Sequence, residues 1–321
     1  MIIDLDDIKA ARQRLQGVSV RTPLVSCPQQ PGPERVYLKL ESLQRTGSFK
    51  IRGAYNKIAA LSEEERKQGV IAYSSGNHAQ GVACAAQMLG VKALIVMPAN
   101  APKIKIEGTR SYGAEVVLYD PATEKREDVT AKIQAERGYT LVPPFNDPFV
   151  MAGQGTVGLE IAEDLPEVEL VLVPVGGGGL ISGVATAIKQ SCPNAKVIGV
   201  EPELAADARE SLKTGQIVEL SASQTQRTIA DGVRTLFIGD KTFVQIKATV
   251  DDIITVSEDE LKDGLRRMVF HGRVVAEPTG ALPFAAWLHH RAELPASRHT
   301  VCVVSGGNVE PATLLEVLRA E

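Results

Sequence analysis

The chain has 321 residues, of which 44% are hydrophobic and 23% are charged, and its formal net charge is -4. This length predicts two domains or one large domain, with enough apolar residues for a sizeable core. The mildly acidic composition offers no basic surface for a nucleic-acid partner. No apolar run reaches the roughly 20 residues that span a bilayer, and the N-terminus shows no leader pattern. We therefore expect a soluble, cytoplasmic protein.

The predicted elements alternate between helices and short apolar strands. A helical rhythm covers residues 4–16 and a strand covers 36–40. Strands follow at 70–73, 93–97 and 116–119, with helices at 79–89 and 103–112 between them. The second half has strands at 170–175, 196–200 and 300–304 and a helix at 181–189. This alternation indicates an α/β protein with open parallel sheets covered on both faces. We predict two such sheets with a cleft between them, and a linker at 143–148.

The four cysteines lie far apart in the sequence and form no C-x-x-C pair. They are Cys27, Cys84, Cys192 and Cys302. This spacing is typical of buried, reduced thiols rather than of a disulfide framework or a zinc site.

A run of four glycines, Gly176–Gly179, stands between a predicted strand and a predicted helix. Glycines let the backbone turn tightly and direct several N–H groups at one point, and the helix dipole adds positive potential there. The run therefore suits a phosphate, although a plain strand-to-helix turn would use the same residues. No Gly-Lys-Ser/Thr follows, so it is not a P-loop, and the spacing fits a dinucleotide fingerprint poorly.

Three further segments carry polar groups that are suited to chemistry. Lys50 stands between Phe49 and Ile51, and poor solvation there would lower the pKa of its amine and make it nucleophilic. Ser74-Ser75-Gly76-Asn77-His78 joins a strand to a helix and could bind a carboxylate, or Ser75 or Asn77 could simply cap the helix. His78 is either a base or a packed side chain. Ser305 follows the last predicted strand, at the sheet edge where ligands bind in open α/β folds.

The order and spacing of these segments resemble the fold-type II family of pyridoxal-phosphate enzymes, most closely its serine/threonine dehydratase and serine racemase group. The matching segments are Thr46–Gly53, Ser74–Gly81, Ala152–Thr156, Gly176–Gly179, Gly199–Pro202, Ala230–Val233, Glu277–Ala281 and Ser305–Asn308. The resemblance implies two open, twisted parallel-sheet domains with the active site in the cleft between them. We expect residues 1–68 and 147–321 to form the larger, cofactor-binding domain and residues 69–146 the smaller one.

The resemblance also implies residue roles around pyridoxal 5'-phosphate. Lys50 would carry the cofactor as a Schiff base and remove the α-proton, with Phe49 beside the ring. Asn77 would bind the cofactor's O3′ atom and Ser305 its pyridine nitrogen. The amides of Gly176, Gly177, Gly178, Gly179 and Leu180 would hold the phosphate. A serine partner leaves the ring a weaker electron sink than a carboxylate would, which favours prompt loss of a β-leaving group.

Substrate and metal sites are implied in the same way. Ser74, Ser75, Gly76 and Asn77 would bind the substrate carboxylate, with Arg126 and Asp231 as further substrate-binding residues. Ser75 occupies the position of the racemase acid/base on the ring face opposite the lysine. Glu201, Ala205 and Asp207 match a racemase-like site with two carboxylates and one carbonyl, which suits Mg²⁺, Ca²⁺ or Mn²⁺. A solvated acidic loop is the alternative for this trio.

We therefore expect a homodimeric ammonia-lyase that converts L-threonine or L-serine to a 2-oxo acid and ammonia, with serine racemisation as a second activity. A 3-hydroxyaspartate ammonia-lyase is the alternative enzyme, and Arg126 or Arg234 could bind its extra carboxylate. Gly-Ser-Phe-Lys, where that subgroup often has Gly-Ala-Phe-Lys, argues against it. A nucleotide-binding dehydrogenase or a non-catalytic phosphate-binding module would need no reactive role for Lys50.

Overall fold

The computed structural model describes residues 1–27, 34–101 and 103–319. Its strands are β1 (Leu24–Ser26), β2 (Arg35–Leu40), β3 (Val70–Tyr73), β4 (Ala93–Pro98), β5 (Glu115–Tyr119), β6 (Thr140–Leu141), β7 (Leu170–Pro174), β8 (Lys196–Pro202), β9 (Asp252–Val256) and β10 (His299–Val304). Its helices are α1 (Leu5–Arg14), α2 (Lys50–Ala59), α3 (Glu63–Gln68), α4 (Asn77–Leu89), α5 (Lys103–Ser111), α6 (Arg126–Arg137), α7 (Pro148–Asp164), α8 (Gly179–Ser191), α9 (Asp207–Thr214), α10 (Ala222–Thr225), α11 (Asp240–Thr249), α12 (Glu258–Phe270), α13 (Pro278–His289) and α14 (Pro311–Arg319).

The strands form two sheets. The larger has the order β1-β2-β10-β7-β8-β9 and the smaller has the order β5-β4-β3-β6. Every neighbouring pair is parallel except β1 and β2. The predicted α/β class with two parallel sheets is therefore confirmed. No helix in the described ranges is long and apolar enough to cross a membrane.

Both faces of the larger sheet are buried, which explains its continuous apolar strands. In β7, Leu170 and Leu172 pack in one apolar cluster with α12 and α13, whereas Val171 and Val173 pack in another with α7 and α8. Successive side chains of a strand point to opposite faces, so an unbroken apolar run requires a cover on each side.

Helix α2 lies between the two sheets. Its apolar residues Ile51, Ala54 and Ile58 belong to the cluster that covers the smaller sheet. Its Arg52, fully buried, instead hydrogen-bonds Glu41 and Glu160 on the larger-sheet side. Because α2 packs on both sides, the division at residues 68 and 69 stays a proposal.

Candidate active site

The segments that the sequence singled out meet at the carboxyl ends of the strands. The turns after β2 lead to Lys50, and they run beside the residues that follow β10. Ser48 and Gly306 form an antiparallel bridge, and the Phe49 N–H donates to the Ser305 carbonyl at 3.1 Å. Parallel strands end at a common edge, so residues far apart in the sequence share one cleft.

Lys50 is the first residue of α2, and its amine is poorly solvated. Its Nζ donates to the Pro144 carbonyl at 3.0 Å and lies 5.1 Å from the centre of the Phe49 ring. Burial lowers the pKa of Lys50 to about 8, although the negative charge of Glu277 opposes this shift. Near neutral pH an appreciable fraction of this amine is uncharged and able to act as a nucleophile or a base.

The glycine run forms the turn between β7 and α8 and leaves its amides available. Within the described ranges, none of the N–H groups of residues 176–180 donates a hydrogen bond. Gly178 has a φ of 89°, a conformation that side chains other than glycine's disfavour. A Cβ atom on Gly177 would collide with the ring of Phe145, which crosses this turn. The unpaired amides at a helix N-terminus suit a phosphate.

Asn77 begins α4, where the smaller sheet faces the larger one. Its Nδ2 donates to both carboxylate oxygens of Glu277, at 2.8 and 3.1 Å, and its Oδ1 accepts from Asn308 Nδ2 at 2.8 Å. Burial raises the pKa of Glu277 to about 7, with the Asn77 hydrogen bond acting in the opposite direction. Asn77, on the smaller-sheet side, is thus hydrogen-bonded directly to Glu277 and Asn308 on the larger-sheet side of the cleft.

The backbone geometry at the start of α4 argues against a capping role for Ser75. The N-cap residue is Gly76, and no side chain caps the helix there. Ser74 Oγ accepts a hydrogen bond from the Gly76 N–H at 3.2 Å, whereas the half-buried Ser75 side chain makes none within the described chain. Gly81 brings α4 against the lysine, since a Cβ atom there would lie 3.1 Å from the Lys50 carbonyl carbon.

Ser305 provides a buried hydroxyl with no hydrogen-bond partner in the described structure. A buried polar group without a partner is costly, so its position fits a ligand atom that completes the bond. An amine of lowered pKa, the unpaired amides of the glycine turn and this hydroxyl together fit pyridoxal 5'-phosphate.

His78 is a packed side chain and not a base. Its Nε2 donates to the Val142 carbonyl at 2.9 Å, and the residue is 3% exposed. Burial lowers the pKa of His78 to about 3, and the charge of Lys50 acts in the same direction. The ring therefore stays neutral at physiological pH.

The predicted substrate-binding charges lie in different surroundings. Arg126 packs 5.1 Å from the centre of the Tyr73 ring and donates to Glu127. Asp231 accepts from Lys105 Nζ at 3.0 Å. Arg234, the other candidate for an extra carboxylate, has its Nε bound to the Thr228 carbonyl at 3.0 Å.

The predicted metal ligands come together at the end of β8 and the start of α9. Glu201 and Asp207 are both fully buried, and both oxygens of Asp207 lack a well-formed hydrogen bond within the described chain. Burial raises the pKa of both carboxyls, and the charge of Asp207 raises that of Glu201 further. No described backbone amide donates to the Ala205 carbonyl.

This donor set fits a hard cation, since two buried carboxylates gain most from a positive charge between them. The described residues contain no group of three or more His, Cys, Asp or Glu that could hold a metal, so no third such side chain joins Glu201 and Asp207.

Several site residues were not assigned a role from the sequence. Glu277 and Asn308 contact Asn77, Pro144 contacts Lys50, and Lys105 contacts Asp231. Glu277 and Asn308 lie in two of the segments that carry the family resemblance, so those segments could have indicated that both residues belong to the site. Pro144 lies in the predicted linker, which turns out to form part of the site.

Comparison with known proteins identifies the class. The chain matches the family described as "Pyridoxal-phosphate dependent enzyme" over residues 16–306, and it belongs to that family. The predicted fold-type II architecture and pyridoxal phosphate as the organic cofactor are thereby confirmed.

Particular relatives carry the activities expected above. The chain is 48% identical to the L-threonine ammonia-lyase of Thermotoga maritima over 96% of this chain and 76% of that protein. It is 44% identical to the L-threo-3-hydroxyaspartate ammonia-lyase of a Pseudomonas species over 98% of each chain. The structure of maize serine racemase superposes with a TM-score of 0.93 at 38% identity, covering 98% of this chain and 97% of that one.

Proposed function

We propose that this chain is a pyridoxal-phosphate-dependent ammonia-lyase that converts L-threonine or L-serine to a 2-oxo acid and ammonia, with serine racemisation as a second activity. The observation that carries the proposal is the Lys50 amine, whose pKa is lowered to about 8 in a cleft lined by the Gly176–Gly179 amides and the Ser305 hydroxyl. Relatives that bear the names of both activities support it.

When bound, pyridoxal phosphate supplies an aldehyde that condenses with amines and a ring that draws electrons from the substrate's α-carbon. The chain's own residues provide the rest. Lys50 takes the α-proton. Residues 74–77 hold the substrate carboxylate through their side chains and the backbone N–H groups of Ser75 and Asn77, since the Ser74 N–H donates to the Val96 carbonyl and the Gly76 N–H to Ser74 Oγ. Ser305 would meet the pyridine nitrogen with an uncharged hydroxyl, and the amides of residues 176–180 would hold the phosphate.

Ser75 is the residue that distinguishes a racemase from a plain lyase. Elimination needs a base on one face only, whereas inversion also needs a proton donor on the opposite face. In the proposal, Ser75 supplies that proton. Its side chain makes no hydrogen bond within the described chain and does not cap α4, so it is free for this role.

The 3-hydroxyaspartate ammonia-lyase reaction is the alternative, and the Pseudomonas relative favours it. Its substrate carries a second carboxylate. Arg126 packs on the ring of Tyr73, which immediately precedes Ser74, and Arg126 or Arg234 would bind that carboxylate. Each arginine would then exchange a present partner for it, Glu127 for Arg126 and the Thr228 carbonyl for Arg234.

A cytoplasmic location, a homodimer and a divalent ion at Glu201, Ala205 and Asp207 complete the proposal. Cys84, Cys192 and Cys302 form no disulfide, which is the rule in a reducing compartment.

The test is an assay of the purified holoenzyme against L-threonine, L-serine and the 3-hydroxyaspartates, with products resolved by chirality. We expect 2-oxo acid from L-threonine and L-serine, and exchange between L- and D-serine. Ser75→Ala should lose D-serine formation and D-serine use while keeping most dehydration of the L-substrates. Ser74→Ala is the matched control, and it should weaken both reactions together through carboxylate binding.

The outcomes separate the parts of the proposal. No 2-oxo acid from any of these substrates would overturn it. Absence of exchange between L- and D-serine in the parent would leave a lyase without racemase activity. A higher kcat/KM for a 3-hydroxyaspartate than for threonine and serine would establish the alternative.

A further inference from the structure

The side chain of Asn308 lies where three segments of the active site meet. Its Nδ2 donates to the Thr46 carbonyl at 2.7 Å and to Asn77 Oδ1 at 2.8 Å. Thr46 is the first residue of the segment Thr46–Gly53 that contains Lys50, and Asn77 begins α4. Gly47 makes this approach possible, because a Cβ atom there would collide with the Asn308 amide.

These contacts determine which way both amides point. The Thr46 carbonyl can only accept a hydrogen bond, so Asn308 must turn its nitrogen toward it. That nitrogen also faces Asn77, so Asn77 presents its oxygen to Asn308. The nitrogen of Asn77 is then directed at Glu277, whose two carboxyl oxygens accept from it.

An amide nitrogen carries two hydrogens. The two Glu277 oxygens belong to one carboxylate and can share a single N–H of Asn77, which accounts for both contacts at 2.8 and 3.1 Å. The second N–H of Asn77 is then left for a ligand. In the opposite orientation the Asn77 oxygen would face both Glu277 and the cleft, where it could donate to neither.

The anchor of this chain of hydrogen bonds is a strained residue. Thr46 has a φ of 64°, which is unfavourable for a β-branched side chain. The hydrogen bond from Asn308 and the one from the Gly307 N–H to the Gly47 carbonyl, at 2.9 Å, hold the turn in that conformation.

We propose that Asn308, with Glu277, is a positioning residue that directs the amide nitrogen of Asn77 at the phenolic oxygen of the cofactor. The inference rests on the proposed cofactor role of Asn77. A donor at that oxygen favours its ionised form, and the absorption spectrum of the bound cofactor reports this ionisation. The readout is therefore independent of turnover.

Asn308→Asp tests the inference with a side chain of the same shape. A carboxylate at 308 cannot donate, so it repels the Thr46 carbonyl and favours the reversed Asn77 amide. We expect the spectrum of the bound cofactor to shift toward that of the protonated phenol. The equilibrium Kd for the cofactor should rise about tenfold. Asn308→Ala introduces no charge and should act in the same direction, which covers the case in which the Asp variant fails to fold.

Asn56→Asp is the matched control. Asn56 Nδ2 also donates to a main-chain carbonyl, that of Phe149 at 2.7 Å, and its Oδ1 accepts from Arg14. Its substitution removes an equivalent donor elsewhere, so the spectrum of the bound cofactor should stay that of the parent.

Asn77→Ala separates the positioning role of Asn308 from the cofactor role of Asn77. If it changes the spectrum and neither Asn308 variant does, the positioning role is refuted while Asn77 remains a cofactor ligand. If Asn77→Ala leaves the spectrum unchanged, the cofactor role of Asn77 fails, and the inference fails with it. A spectral change shared by Asn77→Ala and the Asn308 variants, and absent in the control, supports the inference.

Discussion

At the scale of single residues, the decisive quantity is the protonation state of the buried Lys50 amine. An ordinary lysine has a pKa of about 10.4, so only about one molecule in 2,500 is uncharged at pH 7. Burial lowers the pKa of Lys50 to about 8, which raises that fraction to roughly one in ten. The same burial that costs solvation energy therefore prepares the residue for covalent chemistry.

The covalent capture of pyridoxal phosphate by the apoprotein should follow this pKa. Only the neutral amine attacks an aldehyde, so the rate should rise with pH and level off above about 8. Borohydride trapping at increasing times measures the rate at each pH, and Lys50→Ala should give no trapped adduct. A rate that still climbs steeply at pH 10 would show that the lysine is ordinarily solvated.

At the scale of elements, a corner between a strand and a helix brings two acids into the interior. Glu201 is the last residue but one of β8, and it accepts from the Ala208 and Arg209 N–H groups at 3.0 and 2.7 Å. Asp207 lies at the start of α9, where the helix dipole favours a negative charge. Backbone amides stabilise Glu201, whereas Asp207 lacks a well-formed hydrogen bond in the described chain.

Divalent ions should stabilise the protein through this corner. After EDTA treatment, addition of Mg²⁺ should raise the Tm of the parent, and a concentration of 100 Kd corresponds to about 2.7 kcal/mol. Asp207→Asn should remove the response, while the exposed Glu203→Gln should keep it. If no ion binds, the parent Tm will not respond, and Asp207→Asn will raise stability by removing an unpaired buried charge.

Helix α2 shows a second consequence of packing between elements. A buried network of two cations and two anions links the first turn of α2 to α7 and to β2 and the turn that follows it. Its members are Lys39, Glu41, Arg52 and Glu160. Replacing a buried ion pair with apolar residues is often tolerated, but removing one partner leaves an uncompensated charge. The network thus fixes the helix that carries Lys50 to the larger sheet.

At the scale of the whole molecule, charged groups from both sheets meet at Glu277. Lys105 on α5 reaches from the smaller sheet to Asp231 at 3.0 Å and to Glu310 at 3.6 Å. Burial raises the pKa of Glu277 to about 7, Asp231 raises it further and Lys105 lowers it. Lys50 also lies within electrostatic reach of this carboxyl.

Substitutions at Lys105 and Asp231 should therefore shift the titration of Glu277 in opposite directions. Lys105→Met removes a positive neighbour that favours the carboxylate, so the pKa of Glu277 should rise. Asp231→Asn removes a negative neighbour, so that pKa should fall. Carbon-13 NMR titration of the glutamate carboxyls measures both shifts, with Glu277→Gln to assign the signal. Glu310→Gln is the control and should shift it least, and shifts of the same sign would contradict this account.

Much of the site was predictable because its parts are local in the sequence. The glycine run, the Phe49-Lys50 pair and the serine turn before α4 each place chemistry at a strand end within a few residues. Periodicity predicted the central strands and α4 and α8, although both helices begin two residues earlier than expected, at Asn77 and Gly179. Their first turns consist of polar and glycine residues, which carry no apolar rhythm.

Some helices could not be predicted from hydrophobic periodicity because they are buried on every face. Helix α7 contains Gly153, Gly155 and Gly158, which read as breakers, and it is buried on all sides. A Cβ atom on Gly153 would lie 2.6 Å from the Arg52 carbonyl oxygen, so this glycine serves close packing with α2. No polar face exists to reveal the period of such a helix.

The sequence alone determined the class of the protein, and it predicted a cofactor lysine and a phosphate loop, since these depend on short segments with their own chemistry. The tertiary structure decided what surrounds them. Asn77 meets Glu277 across 200 residues, and Asn308 meets Thr46 across 262. Hydrogen bonds and charges act over a few ångströms of space whatever the separation along the chain, so the pKa values and amide orientations of the site exist only once both sheets are folded and packed.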